Sequence, residues 1–253
     1  MAGSSRILQA LCLLILMLSF AACAPRLAPV DPAMAGKVWQ AMLAKSSTQK
    51  APYLDNMSLR FGTEGNTRRV LAILWGNGGD DLRLDVQAGV GASVAMVRQQ
   101  GSHFLLYAPT EQKAFFHEGA TSPLLKLGLP LPFDLFKLEA LLHNRWTEVF
   151  GSTGSGGASH KLGIAYTLEE GIHGTLVLDA AGMPAKWSNE NWSIGFAFND
   201  DDTLKRLDLA NKKGDKGILL LRGQEHPAPF SDDKMLLELP KDTPLLPLDK
   251  LRK

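Results

Sequence analysis

Hydrophobic positions along this chain change period several times. Between residues 53 and 117 they largely alternate with polar ones, the mark of half-buried strands. Met57, Leu59 and Phe61 alternate with polar neighbours, and Leu82, Leu84 and Val86 alternate with Arg83, Asp85 and Gln87. Residues 69–75 form a nearly continuous apolar run, and further strands are predicted over 93–98, 103–108 and 113–117. Turn-forming residues separate these segments at 62–66, 76–81, 89–91, 99–102 and 109–112. The spacing predicts a sequential antiparallel meander. Strand patterns return at 146–150, 162–168, 171–179, 184–192, 194–199, 204–209 and 217–222. After Glu225 the only strand candidate is 235–239.

Two stretches follow a helical period instead. Over residues 31–45, Met34, Val38, Trp39, Met42 and Leu43 fall on one helix face. The meander is then interrupted by Leu124, Leu125, Leu127, Leu129 and Leu131, broken by Gly128, Pro130 and Pro132. A short helix is predicted over 133–143, with Phe136, Leu138, Leu141 and Leu142. Such leucine-rich segments either cap a core or form the lid of a cavity. A sheet of this many strands curls because strands twist. The expected fold is mainly β with a few helices: a single curved antiparallel sheet, an open and incomplete β-barrel, with a helical lid near residues 122–143. Its concave side must be filled by side chains, a helix or a ligand.

The N-terminal residues change the picture of where such a sheet would work. Arg6 precedes an apolar run over residues 7–20, then Ala21, Ala22 and Cys23. The run is shorter than the roughly 20 residues of a membrane-spanning helix. Charge, apolar stretch, small residues and cysteine together form a bacterial lipoprotein signal, with Phe20 where a leucine-like residue is commoner. Cys23 is the expected lipidation site. An ordinary secretory signal cut near Ala22, or an uncleaved anchor, are the alternatives. Prolines at 25, 29 and 32 mark a semi-rigid tether. The chain carries 27 basic and 26 acidic residues, and only Arg6 falls in the first 22, so the remainder is neutral. That balance gives no electrostatic case for nucleic acid. Of the two cysteines, Cys12 would leave with the signal and Cys23 would be lipidated, which leaves the mature domain no thiol for a disulfide.

Motifs for chemistry are weak. The glycine-rich stretch at 151–157 lacks the Lys-Ser/Thr of a phosphate loop and reads as a flexible hairpin loop. The histidines have no metal-ligand spacing, and Asp200, Asp201 and Asp202 read as a solvated turn. No nucleophile elbow is present. No enzyme activity, metal or cofactor is expected. Apolar chemistry remains: Trp75, Trp187 and Trp192 with several phenylalanines across the strands. Each alone fits an ordinary core; as a set, beside a lid-like segment and a lipidated terminus, they fit a hydrophobic ligand site.

The strand ending in Leu74 and Trp75, the strand 82–86, the apolar-tipped loop Ala88, Gly89, Val90, Gly91, Ala92, and Leu129, Pro130, Leu131, Pro132 before the helix to Leu142 together resemble the outer-membrane lipoprotein receptor family LolB. The likeness spans about 53–144, and more weakly extends to 222. It implies an open barrel around a cavity for acyl chains, receipt of lipoproteins from a LolA-like periplasmic carrier, and release into the outer membrane. It also implies a membrane-insertion loop with Val90 at its tip, where the family carries leucine, flanked by Gly89 and Gly91. Alternation suggests Trp75, Leu84, Val86, Met96, Leu106, Phe116, Leu127, Phe136 and Leu141 as the lining. The expected organisation is a signal at 1–22, lipidated Cys23 and tether at 23–35, barrel at 36–225 and a C-terminal extension at 226–253. The protein is expected to be a monomer, lipid-anchored on the periplasmic face of the outer membrane. A same-fold carrier of another lipid or glycolipid, and a structural or assembly lipoprotein without ligand, are the alternative functions.

Overall fold

The computed structural model describes residues 28–63, 65–89, 91–118, 123–125 and 131–251. The signal, Cys23, Val90 and Leu127 lie outside the described residues. The first meander comprises β1 (Tyr53–Thr63), β2 (Asn66–Gly76), β3 (Asp81–Ala88), β4 (Ser93–Gln100), β5 (His103–Ala108) and β6 (Lys113–Glu118). The second comprises β7 (Gly154–His160), β8 (Gly163–Leu168), β9 (Gly174–Leu178), β10 (Pro184–Ser188), β11 (Trp192–Phe198), β12 (Leu204–Asn211) and β13 (Lys216–Glu225). They join where β1 pairs antiparallel with β13, from Leu54–Glu225 to Gly62–Lys216. With β14 (Leu245–Pro247) the result is one 14-stranded sheet whose ends, β14 and β7, do not meet. It is a large curved sheet, not a closed barrel.

Helices fill one face. Helix α1 (Pro32–Lys45) starts at Asp31, whose carboxylate accepts from Ala33 N at 3.1 Å, with proline at the first helical position. It buries Ala35, Val38, Trp39 and Met42, while Met34, predicted for the same face, is exposed. Trp39 stacks on Tyr166 with ring centroids 5.0 Å apart and donates from Nε1 to Ser152 O at 3.1 Å. Helix α2 (Leu135–Leu142) is capped by Asp134, which accepts from Lys137 N at 2.8 Å. The short helix α3 (Trp146–Phe150) follows directly.

Several sequence expectations are corrected here. Residues 146–150 are helical, not a strand: Trp146, Val149 and Phe150 stand at i, i+3 and i+4, and they bury together. Trp146 packs edge-on against Phe198, and Phe150 against Phe196, each pair with centroids 6.0 Å apart. The glycine-rich stretch contributes β7, an edge strand, and not only a loop. Its glycines allow α1 to lie close: a β-carbon on Gly154 would sit 2.5 Å from Trp39. The run 184–192 is two strands, broken where Asn189 Oδ1 accepts from the amides of Asn191 and Trp192. In the tail, α4 (Asp232–Met235) takes the first residue of the expected strand and residues 236–239 form no strand, while β14 adds to β6 in parallel.

The β7 edge of the sheet is covered in part. Pro29 bridges Ala158 beside β7, and Val30 N donates to Gly157 O at 2.9 Å. Partial covering of this kind guards an edge against pairing with other chains. Gly154→Val is expected to force α1 away from β7 and cost about 1–3 kcal/mol, read as a lower midpoint in urea unfolding. Burial pushes the Tyr166 phenol up to about 12, and pushes Tyr53 further in the same direction. A folded-state pKa above the unfolded value of about 10 means that stability is intact below pH ~10 and falls as pH rises towards 12. Unfolding midpoints measured between pH 9 and 12 should show that fall, and Tyr166→Phe should lessen it, leaving the part due to Tyr53.

Candidate functional site: the covered apolar face

The apolar face of β1, β2, β3 and β13 carries Met57, Leu59, Val70, Ala72, Leu84, Val86 and Leu219. The register sets this: Ala72 pairs with both Met57 and Val86, and Leu74 with Leu84, so their side chains share a face. Over them lie Leu131 and Leu138, and the void left between is about 20 Å³. That is room for about one water molecule by volume, far below the several hundred Å³ of a small-molecule site. Among the described residues, Leu131 and Leu138 fill this part of the concave face.

Polar contacts tie the C-terminal end of α2 to the sheet. His143, its C-terminal cap, places Nε2 3.0 Å from Oδ2 of the fully buried Asp55 on β1. Gln224 on β13 donates from Nε2 to Asp55 Oδ1 at 3.3 Å and to Leu142 O at 3.2 Å. The Tyr53 ring lies 4.8 Å from that of His143. Burial raises the Tyr53 phenol far above its usual value, and the carboxylates of Glu139 and Asp55 act in the same direction. Glu139 is itself buried in an ion pair with Arg145, whose Nε donates to Glu148 Oε1 at 3.0 Å. The other end of α2 meets the sheet through Leu131, Phe133, Leu135 and Leu138, by apolar contact. Phe133 also makes a further contact.

The predicted lining residues divide between the two faces. Leu84 and Val86 border the void, Leu106 and Leu141 are buried in the same core, and Phe136 is half-buried against it. Three residues face the other way. Trp75 pairs with Arg83, so it shares the outer face with Arg83 and Asp85. Its Nε1 donates to Asp85 Oδ2 at 3.0 Å, and the Arg83 guanidinium lies 5.2 Å from its ring centroid. Met96 pairs with Asp85 while Val97 pairs with Leu84, which puts Met96 outside and Val97 in the core. Phe116 pairs with Leu105 and is 40% exposed, whereas Phe115, opposite Leu106, is buried. Each correction is the one-residue slip that inverts a strand's facing. Leu127 lies outside the described residues.

The C-terminal segment covers the outer face. Phe230 packs on Trp75 at 4.8 Å between centroids, and its backbone exchanges two hydrogen bonds with the Asn77 side chain. Arg83 Nη1 donates to Leu236 O at 2.7 Å. The sequence signal for this strap was the alternation of Arg83 and Asp85 opposite an apolar run, which marks an outer face that still has something to cover. At the predicted insertion loop, Gly91 has φ +82° and its amide donates to Ala88 O at 2.8 Å, closing a tight turn. Nothing lies within 4 Å of where a β-carbon would stand on Gly89 or Gly91. Val90 lies outside the described residues.

Leu138→Ala should enlarge the void and cost about 2–5 kcal/mol. The expected result is a lower unfolding midpoint together with stronger fluorescence of an added apolar dye.

No protein-family model matches the sequence, and a search of curated proteins finds no match. Among solved structures, the chain is similar to a LolA superfamily protein from Nitrosomonas europaea, with TM-score 0.53 and 8% identity, covering 81% of this chain and 97% of that one. It is also similar to a DUF1329 family protein from Desulfovibrio piger, with TM-score 0.54 and 10% identity, covering 82% and 98%. The chain has a LolA-superfamily-like fold.

Proposed function

We propose that this chain is a lipid-anchored envelope protein that binds acyl chains on the face now covered by α2. In this reading it takes lipoproteins from a LolA-like periplasmic carrier and passes them to the outer membrane, to which Cys23 anchors it. One observation carries the reading: an apolar concave face is covered by a leucine-rich segment that polar contacts tie to the sheet at the C-terminal end of α2. Exchanging lid leucines for acyl methylenes replaces apolar contact with apolar contact, so the opening cost is largely returned. An acyl chain of roughly 15 methylenes carries about 12 kcal/mol of burial at 0.8 kcal/mol each. Passage from cavity to cavity to bilayer avoids exposing it to water. Trp75, Met96 and Phe116 have no part in this lining. Leu84, Val86, Leu106, Phe136 and Leu141 do, and Val90 between its glycines is the tip that would meet the bilayer.

The small void favours a second reading, a structural or assembly lipoprotein whose interior stays packed. One experiment separates the two. A chain beginning at Ala28 is mixed with a carrier loaded with a labelled triacylated lipoprotein. Transfer of the label, reduced at least tenfold in Leu84→Glu, is the expected outcome. Val90→Glu in the anchored form should leave uptake intact and abolish delivery to vesicles. Transfer of neither label nor any co-purified lipid would leave the packed reading. A different bound lipid, seen by native mass spectrometry, would make the protein a carrier of that lipid.

A further inference from the structure

Cations gather on two adjoining turns at one end of the strands, although the chain as a whole is nearly neutral. At one end stand the β1–β2 hairpin and the β12–β13 turn, brought side by side by the Gly62–Lys216 pairing. They carry Arg60, Arg68, Arg69, Lys212, Lys213 and Lys216, all exposed and none in an ion pair among the described residues. Arg60 and Arg69 are direct cross-strand partners, an arrangement of like charges that destabilises a sheet. Among the described residues neither is paired with an acid: Arg60 donates to Thr67 Oγ1 and Arg69 to Ser58 Oγ. The acids of these two turns are Asp215, which accepts from the Asn211 amide at 2.8 Å, and Glu64, outside the described residues. Glu190 stands on the adjoining β10–β11 turn, where Lys212 N donates to Asn191 O at 3.0 Å, and Glu111, Glu169 and Glu170 lie on the other turns of this end. At the opposite end the turns carry Asp80, Asp81, Asp179, Asp200, Asp201 and Asp202, and there Arg98 and Lys45 are paired with acids.

We infer that the basic end is a binding face for anionic phospholipid headgroups. The cations come from two separate turns and are spread across several strands, so they match a diffuse negative surface better than a single ligand. Val70 pairs with Ala88, which puts the glycine-flanked β3–β4 hairpin at this same end. The face would therefore set that hairpin against the bilayer. This step deepens the proposed function and rests on its reading of the hairpin, while the charge itself is independent of acyl binding. Polybasic faces gain about fivefold in partition per Lys or Arg near an anionic surface, and the effect fades as the screening length falls from about 30 Å at 0.01 M salt to about 3 Å at 1 M.

The test equilibrates the full chain with equal amounts of sucrose-loaded phosphatidylglycerol-containing vesicles and unloaded phosphatidylcholine vesicles, then pellets the loaded ones. The apolar N-terminal stretch enters both kinds, so the ratio between them reads the basic end. A preference for the anionic vesicles is expected, lost at high salt and lowered about 25-fold in Lys212→Gln/Lys213→Gln. Lys161→Gln, which removes a cation from the β7–β8 turn at the other end, should leave the ratio unchanged. No preference, a preference untouched by the double substitution, or an equal loss in Lys161→Gln would overturn the inference. Salt-sensitive association with the periplasmic carrier without vesicle preference would also overturn it, by making the face a protein contact. Failed acyl uptake alters none of these readouts.

Discussion

Everything in this structure depends on the pairing of β1 with β13. These strands lie more than 150 residues apart in the chain, and their register runs from Leu54–Glu225 to Gly62–Lys216. Without it the protein would be two separate meanders, each with an exposed edge. With it, one sheet curves around a common core, and the face of β1, β2, β3 and β13 becomes continuous. Closing so long a loop is entropically expensive, and the return comes from burying Met57, Leu59, Leu207 and Leu219 together.

The same junction holds the buried polar groups. Asp55 sits on β1 and Gln224 is its Cα partner on β13, and His143 reaches them from the end of α2. A carboxylate taken out of water needs such partners, because removing one from a buried pair costs about 3–5 kcal/mol. The seam therefore fixes where α2 ends, and Leu131 and Leu138 add non-directional apolar contacts over the sheet. The covered face and the end of α2 are thus both built on the β1–β13 junction.

The opposite face has its own logic. Trp75, Arg83 and Asp85 form a hydrogen-bonded, stacked cluster that receives the C-terminal segment through Phe230 and Leu236. Because β2 is apolar on both faces, its Trp75 needs a cover, and the tail provides it. The tail then returns to the sheet as β14, in parallel with β6. Inner face, outer face and edge are each covered by a different segment of the chain.

Much of the β-rich character was legible in the alternation itself. The meander from β1 to β6, the helix begun at Asp31 and the helix before His143 follow from local period and capping, which depend on neighbours only a few residues away. Leu84 and Val86 could be placed on the core face because polar residues flank them. Trp75, Met96 and Phe116 could not, because each has an apolar neighbour and the sequence does not say which of the two turns inward. Cross-strand register decided those: Leu84 opposite Val97, and Leu106 opposite Phe115. The helix at Trp146 was hidden because five residues are too few to show a period. The sequence by itself determined the strands, the turns and the apolar stock of the core. Only the tertiary structure decided which meander edges meet, which aromatic faces outward and where the cations gather. Those outcomes depend on pairing between residues far apart in the chain, and local pattern carries no information about distant partners.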